Sequence, residues 1–243
     1  MLKLRNHQAL LASLIIAFAL IELVLGVLVQ TTGGSAETAV SFGAVALACL
    51  FGGLMCEKSK DYLFTQAGLC FTVLADLCLV VADPIQREWG MVFFSITQIA
   101  YFIKIYLNQD SDRQKRIHLI VRASAIVVAI VATCVVLREK TDFLSLISLF
   151  YYANLLVSLV FAFMSGRKML VFAIGLACFA LCDASVGLST MAELYIKVSE
   201  GSVLYSIIHP GFNLAWIFYV PSQALIALSL ALPKLSLLRA NRK

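Results

Sequence analysis

The chain has 243 residues, 61% of them hydrophobic and only 14% charged, with a formal net charge of +5; a soluble domain carries about 25% charge. Its mean hydropathy of +0.93 excludes a soluble globular fold of this length, because the interior could not hide so much apolar surface. Continuously apolar runs also exclude a β-barrel, whose strands alternate polar and apolar.

Apolar stretches of roughly 20 residues recur along the whole length, the length that crosses a bilayer as a helix. They predict an all-α polytopic membrane protein, a single integral domain over residues 1–243 with eight transmembrane helices. The first span, 8–30, follows Lys3 and Arg5 and precedes GGSA (33–36), as a signal peptide would. Its apolar part exceeds the roughly 7–15 residues of a signal peptide, so it reads as a retained helix. The second, 39–55, is short and rich in Gly and Ala. The third, 62–82, contains LADLCLVVAD (74–83), with Asp76 and Asp83 seven residues apart on one helix face. Asp83 precedes Pro84 at the span end and reads as a solvated cap or turn residue.

The fourth span, 89–107, carries Gln98 and Tyr101. The fifth is 117–137, with His118 and Arg122 near its start. The sixth, 143–164, carries Tyr151, Asn154 and Ser158. The seventh, 168–190, carries Asp183, and the eighth, 211–232, carries Trp216, Tyr219 and Gln223. Spacings of three, four and seven put each polar set on one face, so together they are candidates to line a polar cavity. Interhelical hydrogen bonding explains any single set equally well. Between the last two spans, Met191–Pro210 is long enough for a substantial loop or an interfacial helix.

Charge sets the expected orientation. With the N-terminus cytoplasmic, the inner segments carry thirteen basic residues: Lys3, Arg5, Lys58, Lys60, Arg113, Lys115, Arg116, Arg167, Lys168, Lys234, Arg239, Arg242 and Lys243. The outer loops carry four, namely Arg87, Arg138, Lys140 and Lys197. This bias predicts both termini in the cytoplasm. The positive charge is topological and calls for no nucleic-acid partner. Short loops and the absence of targeting segments suggest a plasma membrane, most simply a bacterial inner membrane. The seven cysteines lie in or beside the spans, are odd in number and form no CxxC, so they read as packing residues. No His-rich metal constellation is read, and no cofactor is expected.

Two segments repeat. GLCFTVLAD (68–76) and GLACFALCD (175–183) both read Gly-Leu, six further residues, then Asp, at an offset of 107. They fall four spans apart, which preserves orientation and suggests a parallel repeat of two four-helix halves. Asp76 and Asp183 lie 14 and 15 residues beyond their span starts, and Glu22 lies 14 beyond its own. At about 1.5 Å per residue all three sit roughly 21 Å from the cytoplasmic edge of a ~30 Å core. A carboxylate at such depth costs about 2.5–3.5 kcal/mol on insertion scales, so it needs a cavity, a partner or water. Carboxyls in low dielectric favour the neutral form, and two close together ionise one at a time. A neutral acid beside a carboxylate is the equipment of acid/base catalysis, which makes Asp76 and Asp183 the catalytic candidates. Glu22, Gln98, Tyr101, Asn154, Tyr219 and Gln223 are the candidate cavity lining. A protonated Asp bridging helices is the structural alternative.

Eight short-looped spans, the Asp-bearing segments of the third and seventh, and the ending FYVPSQALIALS (218–229) resemble the YhhN-type, lysoplasmalogenase-like membrane proteins. Where that family typically has Gly-Asp in the third span and Ser-Asp in the seventh, this chain has Ala75-Asp76 and Cys182-Asp183. Where it often has a His before a Tyr in the fourth, this chain has Gln98 and Tyr101. The resemblance implies hydrolysis of the vinyl ether bond of lysoplasmalogens drawn from the bilayer, releasing a fatty aldehyde and a glycerophospho-alcohol. The residues themselves also suit a small transporter or proton-coupled carrier, or a non-catalytic relative that binds lipid.

Overall fold

The computed structural model describes residues 2–55, 59–194, 205 and 212–240. They form eight long helices: α1 (Leu2–Thr31), α2 (Ser35–Met55), α3 (Lys60–Asp76), α4 (Arg87–Leu107), α5 (Asp112–Leu137), α6 (Phe143–Met164), α7 (Leu170–Leu194) and α8 (Leu214–Ala240). No strand occurs among the described residues. All eight segments are long and apolar enough to cross a membrane, the third only with the π-helical turn Leu77–Val81 that prolongs α3. Their outward faces are apolar too. On α5, Val127, Val128, Val135 and Val136 are all exposed, a patch that water would penalise and lipid does not. The chain is a multi-pass membrane protein.

The observed ends follow local chemistry. Gly34 adopts a left-handed φ of 60°, so α2 restarts at Ser35, earlier than the expected 39. Ser111 caps α5 by accepting from the Gln114 N–H at 3.1 Å, which sets the helix start at Asp112 instead of 117. Asp142 and Ser145 form a capping box at the start of α6, where the sequence places it. Gly166, at φ 72°, and the 3-10 turn Gly166–Met169 delay α7 to Leu170. Beyond Leu194, the segment expected to form a loop or interfacial helix lies outside the described residues apart from Tyr205.

The packing carries the repeat. As α3 packs on α4, so α7 packs on α8; α2 meets α3 as α6 meets α7; α4 meets α6 as α8 meets α2; and α1 meets α2 as α5 meets α6. Each repeated glycine makes a close contact at the matching seam of its half. A Cβ at Gly68 would lie 2.1 Å from Tyr101 Cε1, and one at Gly175 would lie 2.9 Å from Ile226 Cγ1 and 3.1 Å from the Ser222 carbonyl oxygen. Only a bare backbone admits the neighbouring helix so closely, the small-residue packing that holds helices together where lipid supplies no hydrophobic drive. At the first contact, the Thr72 and Thr97 hydroxyls both donate to the Gly68 carbonyl, at 3.0 and 3.2 Å. Each glycine thus fixes the helix that carries an aspartate eight residues, or just over two turns, further along.

Candidate functional site

Asp76 ends the α-helical part of α3, and the backbone passes directly into the π-helical turn, closed by the Ala82 N–H donating to the Leu77 carbonyl at 2.8 Å. Single π turns of this kind recur at functional sites. Leu79 in this turn packs onto Gly90 of α4, where a Cβ would come within 2.4 Å of Leu79 Cγ. The Asp76 side chain is buried. Its partner is Tyr219 of α8, whose hydroxyl lies 2.9 Å from Oδ1 and 2.8 Å from Oδ2 and donates to the carboxyl. Tyr219 is held at its own end of α8. The Asn213 N–H donates to Gln30 Oε1 of α1 at 2.8 Å, Gln30 Nε2 returns a bond to the Asn213 carbonyl at 3.1 Å, and Asn213 Nδ2 donates to Glu37 of α2 at 3.1 Å.

Asp183 is held in the same manner but by a neighbour within its own half: the Tyr151 hydroxyl of α6 donates to Asp183 Oδ2 in a short hydrogen bond. Asp183 is only partly buried, and among the described residues its Oδ1 accepts from no side chain. The two tyrosines converge on shared aromatic rings. Phe94 of α4 lies 5.5 Å from the Tyr151 ring and 6.5 Å from Tyr219, while Phe179 of α7 lies 6.3 Å from Tyr151 and 5.5 Å from Tyr219. Trp216 packs on Tyr219 at 5.5 Å. The structure therefore brings two carboxyls, each with a tyrosine donor, into one aromatic-walled region between the two halves.

Of the expected lining, Tyr219 touches an acid directly. Gln98 and Gln223 lie one helical turn from Phe94 and Tyr219 respectively, toward the same end of the bundle, and Tyr101 lies nearly two turns from Phe94. Both amide atoms of Gln98, Gln223 Oε1 and the Tyr101 hydroxyl are buried without a hydrogen-bond partner among the described residues. So are both carboxyl oxygens of Glu22. Glu22 is one turn before Gly26, whose Cα faces Val220 of α8, so it belongs to the α1–α8 seam.

Asn154 is elsewhere. Its Oδ1 accepts from Arg122 Nη1 at 2.6 Å and its Nδ2 donates to the Phe150 carbonyl at 2.7 Å. The shared stripe on α6 is real, but its two ends meet different helices: Tyr151 reaches α7, whereas Asn154 and Ser158 reach Arg122 of α5. The sequence offers Tyr151 only as one member of a polar stripe that could line a cavity, one turn before Asn154, and does not mark it as the partner of an acid. Phe94 and Phe179 carried no signal distinguishable from ordinary core.

The bundle and its paired acids define a multi-pass membrane protein with a tyrosine-supported carboxyl pair in its interior. The YhhN family model matches residues 36–230, a stretch that reaches into every helix but the first, and the chain belongs to that family. No curated protein and no solved structure matches it.

Proposed function

We propose that the protein is a membrane-embedded hydrolase that cleaves the vinyl ether bond of lysoplasmalogen-like lipids. The observation that carries this reading is a pair of carboxyls, each supplied with a phenolic donor, whose two tyrosines pack on the same rings, Phe94 and Phe179. A vinyl ether is hydrolysed by adding a proton to the alkenyl carbon distal to oxygen, which leaves an oxocarbenium ion. Water adds to that cation and gives back a proton, and the resulting hemiacetal breaks its carbon–oxygen bond to yield a fatty aldehyde and a glycerophospho-alcohol. One carboxyl, in its neutral form, delivers the proton. The other, ionised, stabilises the cation and takes the proton from water. The tyrosine hydroxyls hold both carboxyls in place, and the rings of Phe94, Phe179 and Trp216 offer an apolar wall to the alkenyl chain. Gln98 and Gln223, with buried amide atoms awaiting partners, suit the polar glycerol end. Asp183, only partly buried, suits entry from the lipid side.

The basic-residue bias supports both termini in the cytoplasm and a plasma-membrane location, bacterial inner membrane included. The test is incubation of purified protein with lysoplasmalogen, its alkyl ether and its ester analogue. Aldehyde release from the vinyl ether alone is expected. No aldehyde, with Asp-dependent solute movement in vesicles instead, would replace this reading by transport.

A further inference from the structure

A second polar cluster, which the hydrolase reading does not use, lies one turn along α6 from Tyr151. Arg122 sits ten residues into α5 and is 6% exposed. Its Nη1 donates to the Asn154 carbonyl at 3.4 Å and to Asn154 Oδ1 at 2.6 Å; its Nη2 donates to His118 Nε2 at 3.0 Å and to Ser158 Oγ at 2.9 Å. The guanidinium stands over the Phe102 ring at 4.3 Å. Its Nε is buried with no hydrogen-bond partner among the described residues.

His118 is a neutral partner in this set. With Nε2 accepting from Arg122, the ring proton is on Nδ1 and needs an acceptor. The Gln109 side-chain amide lies 2.8 Å from Nδ1, and with its oxygen turned to the ring it accepts that proton. Every partner of Arg122 is then neutral. The ion pairs among the described residues, Lys115–Asp112 and Lys168–Asp110, lie elsewhere. A cation at this depth with no counter-charge is costly, and an anion is what would complete it. A small crevice lined by Gln109, Gln114, Phe161, Met164 and Ser165 touches the His118 end of the cluster, with Phe161 stacked on His118 at 4.0 Å.

We infer that Arg122, presented by His118, Asn154 and Ser158, is a recognition site for the phosphate group of the lipid that the acids act on. The inference rests on the hydrolase reading for the identity of the phosphate carrier. Asn154 is one turn, about 4.5 Å of helix rise, from Tyr151, and the proposal asks one glycerol unit to join the two places: phosphate at Arg122, vinyl ether at the carboxyls. With both Nη groups committed to neutral acceptors, the Nε–H is the guanidinium donor left for a phosphate oxygen.

The experiment measures binding of lysoplasmalogen, and of the same 1-alkenylglycerol without its phosphate, to purified protein by thermal unfolding midpoint, with aldehyde recorded in the same samples. Wild type is expected to bind the phosphate-bearing lipid about 10–100-fold more tightly, the worth of a charge-assisted bond. Arg122→Gln is expected to bind both lipids alike, at the phosphate-free level. Displacement by millimolar inorganic phosphate would identify free phosphate as a ligand of the same site; binding of the lysolipid undisturbed by it would identify the lipid as the source. Equal wild-type affinity for the two lipids overturns the proposal without any variant, and so does an Arg122→Gln protein that still discriminates between them. Discrimination without aldehyde leaves the anion site standing and removes the hydrolase reading; aldehyde without discrimination does the reverse.

Discussion

Removing the Tyr219 hydroxyl is the most informative change at the carboxyl pair. Tyr219→Phe keeps the ring, with its contacts to Phe94, Phe179 and Trp216, and deletes a donor lying 2.9 and 2.8 Å from the two oxygens of Asp76. No other side chain donates to Asp76 among the described residues, so the carboxyl is left buried and unsatisfied. In membrane proteins a neutral interhelical hydrogen bond is worth about 0.6 kcal/mol, whereas a bond to a charged group is worth about 1.5–3 kcal/mol. A double-mutant cycle of Tyr219→Phe with Asp76→Ala, in which each single change removes the hydrogen bond, read by unfolding in detergent, is expected to give a coupling energy in one of these ranges. The lower value identifies Asp76 as the neutral member of the pair and the higher as the ionised one. The same cycle on Tyr151→Phe and Asp183→Ala is expected to give the complementary value. Additivity within about 0.3–0.5 kcal/mol, the behaviour of independent sites, at both pairs would refute the tyrosine–carboxyl units.

Gly68→Ala is expected to destabilise the bundle by about 1–3 kcal/mol through overpacking against Tyr101, measured by thermal unfolding, while Gly43→Ala, where a Cβ meets nothing within 4 Å, leaves the midpoint unchanged. At the start of α6, the Ser145 backbone N–H and hydroxyl hold the exposed Asp142 carboxyl below the usual aspartate range. A group depressed in the folded state stabilises above its unfolded value of about 3.9 and loses that contribution as pH falls through the folded value. Protection of the first turn of α6 in hydrogen exchange is therefore expected to fall on acidification, and Asp142→Asn, which still caps, to lose that pH dependence. Reporter fusions at residue 1 and residue 243 are both expected to report the cytoplasm; a terminus on the far side would overturn the orientation drawn from basic residues.

The eight crossings were legible because hydropathy alone dictates them, and the acids because a carboxylate in an apolar run is costly wherever it occurs. The glycine eight residues before each acid was legible as a pattern, although its purpose, admitting Tyr101 in one half and Ile226 in the other, needed the packing. Helical periodicity correctly put Tyr151, Asn154 and Ser158 on one stripe. It could not divide them between α7 and α5, since spacing along a helix says nothing about which neighbour each residue meets. The π-helical turn after Asp76 has no sequence mark nearer than Pro84. Arg122 and His118 read as span-edge residues until the Ser111 cap moved the start of α5 to Asp112, which put Arg122 ten residues inside the helix.

The central claim is that Asp76 and Asp183 work as one unit. Its most direct measurement is aldehyde release from lysoplasmalogen by purified wild type, Asp76→Asn, Asp183→Asn and the double variant, all verified as folded. Asn keeps shape and hydrogen bonding but neither gives nor takes the catalytic proton. Each single change is expected to cost about 10²–10⁴-fold, with the double variant scarcely worse than either, as for groups acting together. Near-wild-type aldehyde release from either single variant would contradict the account.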